Sequence, residues 1–392
     1  MKRKLCLISA ASIVALSSSA SAQGLLSLGQ RDEFEKKLPF SVTVGVGAGW
    51  DSNVNLSSEN EIDSTYISSK IIAEYSTGDR RTSYTLGLTY TPLYYLDAPA
   101  GIDDFQHSGS ISFGLRHKVN PRLTITDNLY FAYEYEPNYQ IGTSVARRTQ
   151  PYVYGYNNLN VMYAWTKRFS TVTGYTISGI AYDDDSEAGE DYLSHLFSQD
   201  LRYAFNRQTT GVLTYRYGTT EYDNNYGDYS SNYFLAGVDH MFSRRTSGSF
   251  RAGAEVRDRD NGGSDTNPYA EASFSHSLAK QTYVRWYGRY GFEDSDIGVS
   301  TERTSLRTGI SVQQRFTNRV AGNIGANYIH DVFEGGGGDY DDDIIEVSMG
   351  LDFSVYRNLV LNTGYSFTTT SSDVDRREYD RHILSLGLTA KF

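Results

Sequence analysis

Charged residues alternate with apolar residues along many segments of this chain. Arg285, for example, lies between Val284 and Trp286. Successive side chains of a strand point to opposite faces, so the charges share one face and the apolar residues share the other. The charged face predicts either salt bridges that stiffen the fold or a polar path whose charges select solutes. Its predicted members are Asp200, Arg202, Arg216, Asp239, Arg251, Glu271, Arg285, Arg289, Arg307 and Arg315.

Signals of catalysis are weak. Ser and Asp are so abundant that their pairing with His107, His195, His330 or His382 carries no information, and no Gly-x-Ser-x-Gly elbow stands out. The glycines at 335–338 are not followed by the Lys of a phosphate loop. The sequence therefore predicts no enzyme and no cofactor.

His117, His240 and His276 fall in the apolar phase near one end of their segments. They could bind a metal ion or lie at a boundary between lipid and water. These residues belong to separate segments, and no carboxylate or further His lies at ligand spacing beside them. We therefore favour side chains at a boundary between lipid and water, and we predict no metal site. The single Cys, Cys6, lies in an N-terminal export signal, so disulfides and thiol chemistry are excluded from the rest.

Residues 1–22 have the pattern of a signal peptide. A basic start precedes a mainly apolar core of 12 residues and the small-residue site Ala20-Ser21-Ala22. An anchor helix is the alternative, but the apolar core is too short to span a bilayer. We expect 23–39 to form a short periplasmic lead and 40–392 to form a barrel.

Composition excludes several classes of protein. Of the 392 residues, 14% are aromatic, which is too many for a disordered chain. The mean hydropathy of −0.47 argues against a helical membrane protein. The net charge of −11 makes nucleic-acid binding improbable.

Strand length and spacing indicate the fold. Alternating segments of about 12 to 16 residues are far longer than most strands of soluble sheets. Short breaks near residues 79, 121, 168, 207, 244, 280, 318 and 357 alternate with nine longer polar breaks. The pattern predicts a transmembrane, antiparallel, up-and-down β-barrel of 18 strands, with 16 as the alternative count. A propeller would need four short strands in each repeat.

The two kinds of connection differ in charge. The short turns are basic, as at Arg80, Arg81, Arg244 and Arg245, and the long loops are mainly acidic. We therefore place the short turns in the periplasm and the loops outside. The acidic loops serve solvation or, alternatively, hold divalent cations at clusters such as 183–187 and 341–343.

Loop 137–156 is the longest predicted loop, and it carries Arg147 and Arg148 without an acidic residue. One interpretation folds this loop inward as a constriction, where Tyr139, Tyr152, Tyr154 and Tyr156 could stack on sugars. The other leaves it outside, where its arginines bind lipopolysaccharide phosphates.

The last segment alternates up to a terminal Phe392. Such an ending resembles the signal that the outer-membrane assembly machinery recognises. One local conflict remains at Asp127, which falls in the apolar phase between Ile125 and Leu129, and a bulge there would restore the phase.

The stretch Trp50-Asp51-Ser52-Asn53, followed by strands rich in Tyr and Asp, resembles the β-barrel porins of the second type, a bacterial outer-membrane family. Membership implies an outer-membrane channel with no catalytic residues. We expect a porin for passive diffusion of small hydrophilic solutes or saccharides, in contact with lipid and lipopolysaccharide. The alternative is a non-conducting structural barrel or one associated with polysaccharide export.

Overall fold

The chain forms one closed antiparallel β-barrel in a computed structural model. The structure describes residues 39–98, 102–135, 151–183, 191–223, 227–260, 263–278, 281–293, 302–334 and 339–392. The predicted signal peptide, nearly all of the predicted lead, and Arg147 and Arg148 lie outside these residues.

Eighteen strands follow one another along the chain. They are β1 (Phe40–Asp51), β2 (Ser64–Gly78), β3 (Thr82–Tyr95), β4 (Phe105–Lys118), β5 (Leu123–Glu134), β6 (Tyr152–Ala164), β7 (Phe169–Tyr182), β8 (Tyr192–Ala204), β9 (Thr209–Tyr222), β10 (Tyr229–Ser243), β11 (Thr246–Arg259), β12 (Ser264–Leu278), β13 (Thr282–Phe292), β14 (Glu302–Arg315), β15 (Val320–Glu334), β16 (Tyr340–Tyr356), β17 (Leu359–Ser372) and β18 (Tyr379–Lys391). A short 3₁₀ turn, Asp375–Arg377, precedes β18.

Every strand pairs with its neighbours in the chain, and β18 pairs with β1 to close the sheet. At this seam Val42 and Phe392 exchange backbone hydrogen bonds of 3.1 and 2.8 Å. The predicted fold class and the count of 18 strands are confirmed, and the alternative of 16 is wrong. Among the described residues, no helix is long and apolar enough to cross a membrane.

The barrel is apolar outside and polar inside, which inverts the arrangement of a soluble protein. Val46 is 62% exposed and Leu213 is 59% exposed, whereas Arg303 and Glu255 are fully buried on the inner face. Strands of 11 to 17 residues are long enough to cross a bilayer at the tilt of membrane barrels. The outer face can therefore meet lipid while the inner face keeps its charges away from it.

Five of the short turns share one local device, a side-chain oxygen that caps the turn. The first turn residue accepts hydrogen bonds from the N–H groups two and three positions later, as Asp79 does from Arg81 and Thr82 at 2.7 Å each. These hydrogen bonds hold the pKa of the Asp79 carboxyl below its usual range. The same role falls to Asn120, Thr166, Asn206 and Thr317.

Loop 137–156 is shorter than predicted, because β6 already begins at Tyr152. Three of its four tyrosines, Tyr152, Tyr154 and Tyr156, are strand residues, and Tyr152 and Tyr154 are buried. Tyr139 lies outside the described residues. The sequence misled here because Tyr, Gly and Asn alternate in this stretch, and Gly and Asn are also frequent in turns.

The bulge expected near Asp127 is wrong, since β5 pairs with β4 and β6 without a register shift. Asp127 stays in the outward phase and accepts a hydrogen bond of 2.9 Å from the Asn157 amide on β6. A partner on the same face therefore resolves the polar mismatch without a change in backbone register.

The interpretation of 341–343 as a cation cluster is also wrong, because these residues belong to β16 and alternate in direction. Asp342 is buried and accepts hydrogen bonds from Arg377. Asp343 instead accepts hydrogen bonds from the Tyr328 hydroxyl at 2.7 Å and pairs with His330 at 3.0 Å. Asp341 and Asp343 share one face of the strand and Asp342 lies on the other, so the three carboxylates cannot hold one ion together.

Candidate pore interior

Six of the ten charged residues predicted from the alternation form one network on the inner face of β8 to β12. Arg202 on β8 contacts Asp200 at 3.4 Å and donates a hydrogen bond to Asp239 on β10. Asp239 lies 3.4 Å from Arg251 on β11, whose other nitrogen lies 3.9 Å from Glu271 on β12. All five side chains are largely shielded from solvent, so each charge depends on its partners.

Arg216 completes this network from β9. Its two terminal nitrogens bind the two Glu271 oxygens at 2.8 and 3.1 Å, the fork geometry that guanidinium groups form with carboxylates. The Tyr269 hydroxyl donates a further hydrogen bond of 2.8 Å to Glu271. Glu271 is therefore the acceptor on which several donors converge.

Strand pairing places the charges in a cross-strand row. Arg251 lies directly opposite Glu271, Glu271 opposite Arg289, and Arg289 opposite Arg307. Arg202 joins the same line through Val212 and Gly237 on the intervening strands. We call Arg202, Arg251, Glu271, Arg289 and Arg307 the charged row. Barrel strands tilt by roughly 35–45°, so a row perpendicular to them climbs the wall.

The remaining two predicted residues lie apart from the network. Arg285 is exposed on the inner face of β13, with its guanidinium 4.7 Å from the Tyr283 ring centre. Arg315 is the last residue of β14, at the periplasmic end. The structure does not bring either one into the charged row.

The sequence interpretation missed a second tier of buried ion pairs toward the outer end of the barrel. Arg257 contacts Glu255 at 3.0 Å between the rings of Tyr229 and Phe292. The other pairs are Arg303 with Asp331, Arg377 with Asp342, and Arg381 with Asp51. Most of these residues keep the strand phase of the predicted ones. Only Asp342 and Arg377 had been assigned to predicted loops. The others lie in predicted strand segments, where alternation gives the face of a residue but not its partner on another strand.

The opposite part of the wall carries small side chains. On β3, the inner face presents Ser83, Thr85, Gly87, Thr89 and Thr91. Inward glycines and serines continue this surface, as at Gly45 and Gly47 on β1 and Ser385 and Gly387 on β18. The interior is therefore lined by large charged side chains on β8 to β16 and mainly by small polar ones on β1, β3 and β18. Lys70 and Glu74 of β2 share the inner face with these small residues.

The Trp50-Asp51-Ser52-Asn53 stretch closes the barrel seam. Asp51 accepts hydrogen bonds of 3.0 and 3.1 Å from Arg381 Nε and one of 3.2 Å from the Tyr95 hydroxyl. Ser52 exchanges two hydrogen bonds with the backbone of His382 on β18. The stretch thus ties the first strand to the last.

Asn53 then folds the first outer loop back onto the barrel. Its amide donates to the carbonyls of Ser57 at 2.8 Å and Asp380 at 2.9 Å. Val54 packs with Tyr66 and Tyr95 in a buried cluster inside the outer end. Leu56 is buried at a φ of 46°, a left-handed conformation that costs energy for a branched side chain and that this packing must offset.

A second aromatic cluster lies on the inner face of β5 to β8, again at the outer end. Tyr152, Tyr154 and Ile180 form its buried centre, and Tyr130 and Tyr182 pack against it. Tyr130 and Tyr152 also donate hydrogen bonds to Glu134 at 3.4 and 3.0 Å. Buried tyrosines therefore lie at the outer end in two parts of the wall.

All seven histidines are in the outward phase, near the strand ends. At the periplasmic end a threonine on the neighbouring strand bonds each ring: Thr82 with His117, Thr209 with His240, and Thr246 with His276, at 2.7 to 2.9 Å. Within the described part of the chain, no group of three or more His, Cys, Asp or Glu side chains could hold a metal ion.

Several solved porin structures resemble this fold. The outer membrane protein opdK from Pseudomonas aeruginosa has 12% sequence identity and a TM-score of 0.48, over 90% of this chain and 98% of its own. OccAB3 from Acinetobacter baumannii has 10% identity and a TM-score of 0.45, over 90% and 99%. A BenF-like porin from Pseudomonas fluorescens Pf-5 has 12% identity and a TM-score of 0.45, over 90% and 99%. Likeness at this level says nothing about the solute.

No curated protein sequence matches the chain. A family model described as "Putative beta-barrel porin 2" matches residues 233–392. This segment comprises most of β10 and all of β11 to β18, and it includes the charged row from Arg251 to Arg307. The closed barrel with an apolar outer face is a bacterial outer-membrane protein. Residues 233–392 thus match the model of the porin family that the resemblance of the sequence had indicated.

Proposed function

We propose that the protein is a passive channel through which small hydrophilic solutes cross the outer membrane. The observation that carries this proposal is the asymmetry of the inner wall, which has large charged residues on β8 to β16 and small polar residues on β1, β3 and β18. Barrels of 16 to 18 strands are wide enough to leave an aqueous lumen that side chains do not fill. Small residues on one side leave that lumen room for a solute.

The exposure of inner charges supports the same proposal. The side chain of Arg289 is 43% exposed although it lies on the inner face, and Asn128 is exposed on the inner face of β5. Such groups need water around them. A wet, charged interior favours hydrophilic solutes over apolar ones.

Single-channel recording in planar bilayers tests the channel function. Purified protein should produce stepwise, ohmic conductance, and liposomes containing it should swell in isotonic solutions of small sugars. Correct folding is checked beforehand by faster migration of the unheated protein in detergent gels. A folded barrel that neither conducts nor permits swelling would support the structural or polysaccharide-export alternative.

The same proposal covers the partners and the lack of catalysis. Phe392 serves as the recognition signal for the assembly machinery, and the outward Tyr and His side chains contact lipid and lipopolysaccharide. The barrel performs no reaction, and its interior orders solutes without forming covalent bonds. A constriction formed by Arg147 and Arg148 remains a prediction, tested by the conductance of a variant that lacks residues 143–150.

A further inference from the structure

Arg307 is a buried arginine whose terminal nitrogens lack partners. Its side chain is only 5% exposed. Nε donates a hydrogen bond of 2.9 Å to the Ser305 hydroxyl, whereas Nη1 and Nη2 have no hydrogen-bond partner among the described residues. An unpaired buried charge is costly.

The residues opposite Arg307 on the two neighbouring strands supply no acceptor for its terminal nitrogens. Directly opposite on β13 is a second cation, Arg289, and like charges in that position repel. Directly opposite on β15 is Ile329, which offers no acceptor. The arginine is therefore placed between a repelling group and an apolar one.

The nearby carboxylates do not compensate for these cations. Glu293 pairs with Arg289, and its oxygen is 3.8 Å from Arg307 Nε, beyond hydrogen-bond distance. Asp331 pairs with Arg303 through Oδ2, and its Oδ1 has no hydrogen-bond partner among the described residues. The cluster thus holds three arginines against two carboxylates, and it lacks one negative charge.

We propose that Arg307 and Arg289 form an anion seat that takes the carboxylate group of a solute passing through the lumen. The Nη1–Nη2 edge of Arg307 offers two parallel N–H groups, the arrangement that binds both oxygens of a carboxylate. Arg289, with its more exposed side chain, meets the solute first from the water side, and its side chain must move aside before the solute reaches the buried Nη1–Nη2 edge of Arg307. The seat rests on the proposed channel function and adds a substrate class to it, namely small carboxylates.

A charged and an uncharged compound of similar shape define the binding test. Benzoate is the probe, and benzamide, of nearly the same shape but without charge, is its control. Binding is measured by titration calorimetry on the protein in detergent, which does not depend on conduction. Block of single-channel current by the same two compounds is measured in parallel. We expect wild-type protein to bind and be blocked by benzoate and to ignore benzamide.

The variants separate the seat from the general charge of the lumen. Arg307→Gln should weaken benzoate binding by about tenfold, the loss expected for one charge-assisted contact. Arg285→Gln is the matched control, because it removes an inner-face arginine from the same strand as Arg289 without touching the seat. It should change benzoate affinity by less than about twofold, although it too removes a lumen charge.

Resistance to denaturant distinguishes a binding role of Arg307 from a structural one, because the two roles predict opposite effects of its replacement. Removing an uncompensated buried charge should leave the barrel at least as resistant to denaturant, so Arg307→Gln should not unfold earlier than wild type. If it unfolds earlier and still binds benzoate normally, Arg307 is a structural residue, bridged by internal water to Asp331, and the seat is refuted.

Three further outcomes test the seat and the channel separately. If Arg307→Gln does not fold, Arg289→Gln tests the seat instead: Glu293 would be released to occupy Arg307, and benzoate affinity should again fall about tenfold. Conduction without any preference for benzoate over benzamide refutes the seat and leaves the channel. Benzoate binding in a barrel that does not conduct refutes the channel and leaves the seat.

Discussion

Asp51 and Arg381 lie 330 positions apart in the chain, and both are buried where the first and last strands meet. Replacing only one of them leaves the other as an unpaired charge with little access to water. Such a change is more damaging than removing both, because the desolvation cost of the remaining group is then uncompensated. The pair therefore makes the seam sensitive to single substitutions.

We expect Arg381→Met to lower the free energy of unfolding by about 3–5 kcal/mol. The double variant Asp51→Asn/Arg381→Met should be less destabilised than Arg381→Met alone. Urea unfolding of the four proteins in detergent micelles gives the coupling energy from the cycle. A coupling energy near zero would show that the seam does not depend on this pair.

Phe392 contributes to the seam only through its backbone, while its ring is 67% exposed on the outer side. Phe392→Asp should therefore leave the seam hydrogen bonds intact but slow insertion, with more protein degraded in the periplasm. Phe392→Tyr, which keeps an aromatic ring, is the control. Normal surface levels of Phe392→Asp, measured by protease accessibility on whole cells, would remove the assembly role.

At the scale of elements, the short turns are stabilised by side-chain caps of two kinds, ionisable and neutral. Asp79 caps the turn after β2, and Asn206 caps the turn after β8 with the same two hydrogen bonds. The capped state of Asp79 favours the ionised carboxylate. The two turns therefore differ in their response to pH although their geometry is alike.

The pKa of Asp79 is lowered in the folded barrel, so its stabilising contribution is full above the ordinary value of 3.8 and is lost as the pH falls through the folded pKa. Relative to Asp79→Ala, wild type should be more stable near neutral pH, and this difference should shrink in acid. Asn206→Ala should show a difference that does not change with pH. Denaturant unfolding at several pH values measures both differences, and parallel pH curves for the two turns would contradict the assignment.

Much of the element pattern could be predicted because strand period and turn composition are local properties. The break near residue 207 is an example: Asn206, Arg207 and Gln208 interrupt two alternating runs, and the turn lies there. Boundaries failed where strand residues resemble loop residues. Tyr152 and Asp342 belong to strands that continue past the apolar band, where the phase is no longer marked by apolar partners.

The sequence predicted that the charged side chains face the interior, but it did not predict which of them pair with each other. Alternation alone places Arg202, Arg251 and Arg307 on one face. It cannot specify that Arg202 meets Asp239 or that Arg307 lies opposite Arg289, because these relations depend on the register between strands. The partnerless nitrogens of Arg307 follow from that register and have no signal in the sequence.

At the scale of the whole molecule, the interior is divided between a charged wall and a small-residue wall. The charged row spans β8 to β14, more than a third of the circumference, and its tilt carries it from one end of the barrel toward the other. A solute that follows the row keeps opposite charges beside it over a long part of its path. The small-residue wall gives it space to turn.

The seam between β1 and β18 has a consequence for the timing of biogenesis. The strand that completes the sheet is the last to emerge from the ribosome, and its partner is the first barrel strand. Until export of the chain is finished, β1 has only one of its two neighbours, and its exposed edge invites pairing with other chains. The incomplete barrel must therefore be kept from associating with other copies of the chain during export. A chain truncated before β18 would leave the edge of β1 permanently unpaired.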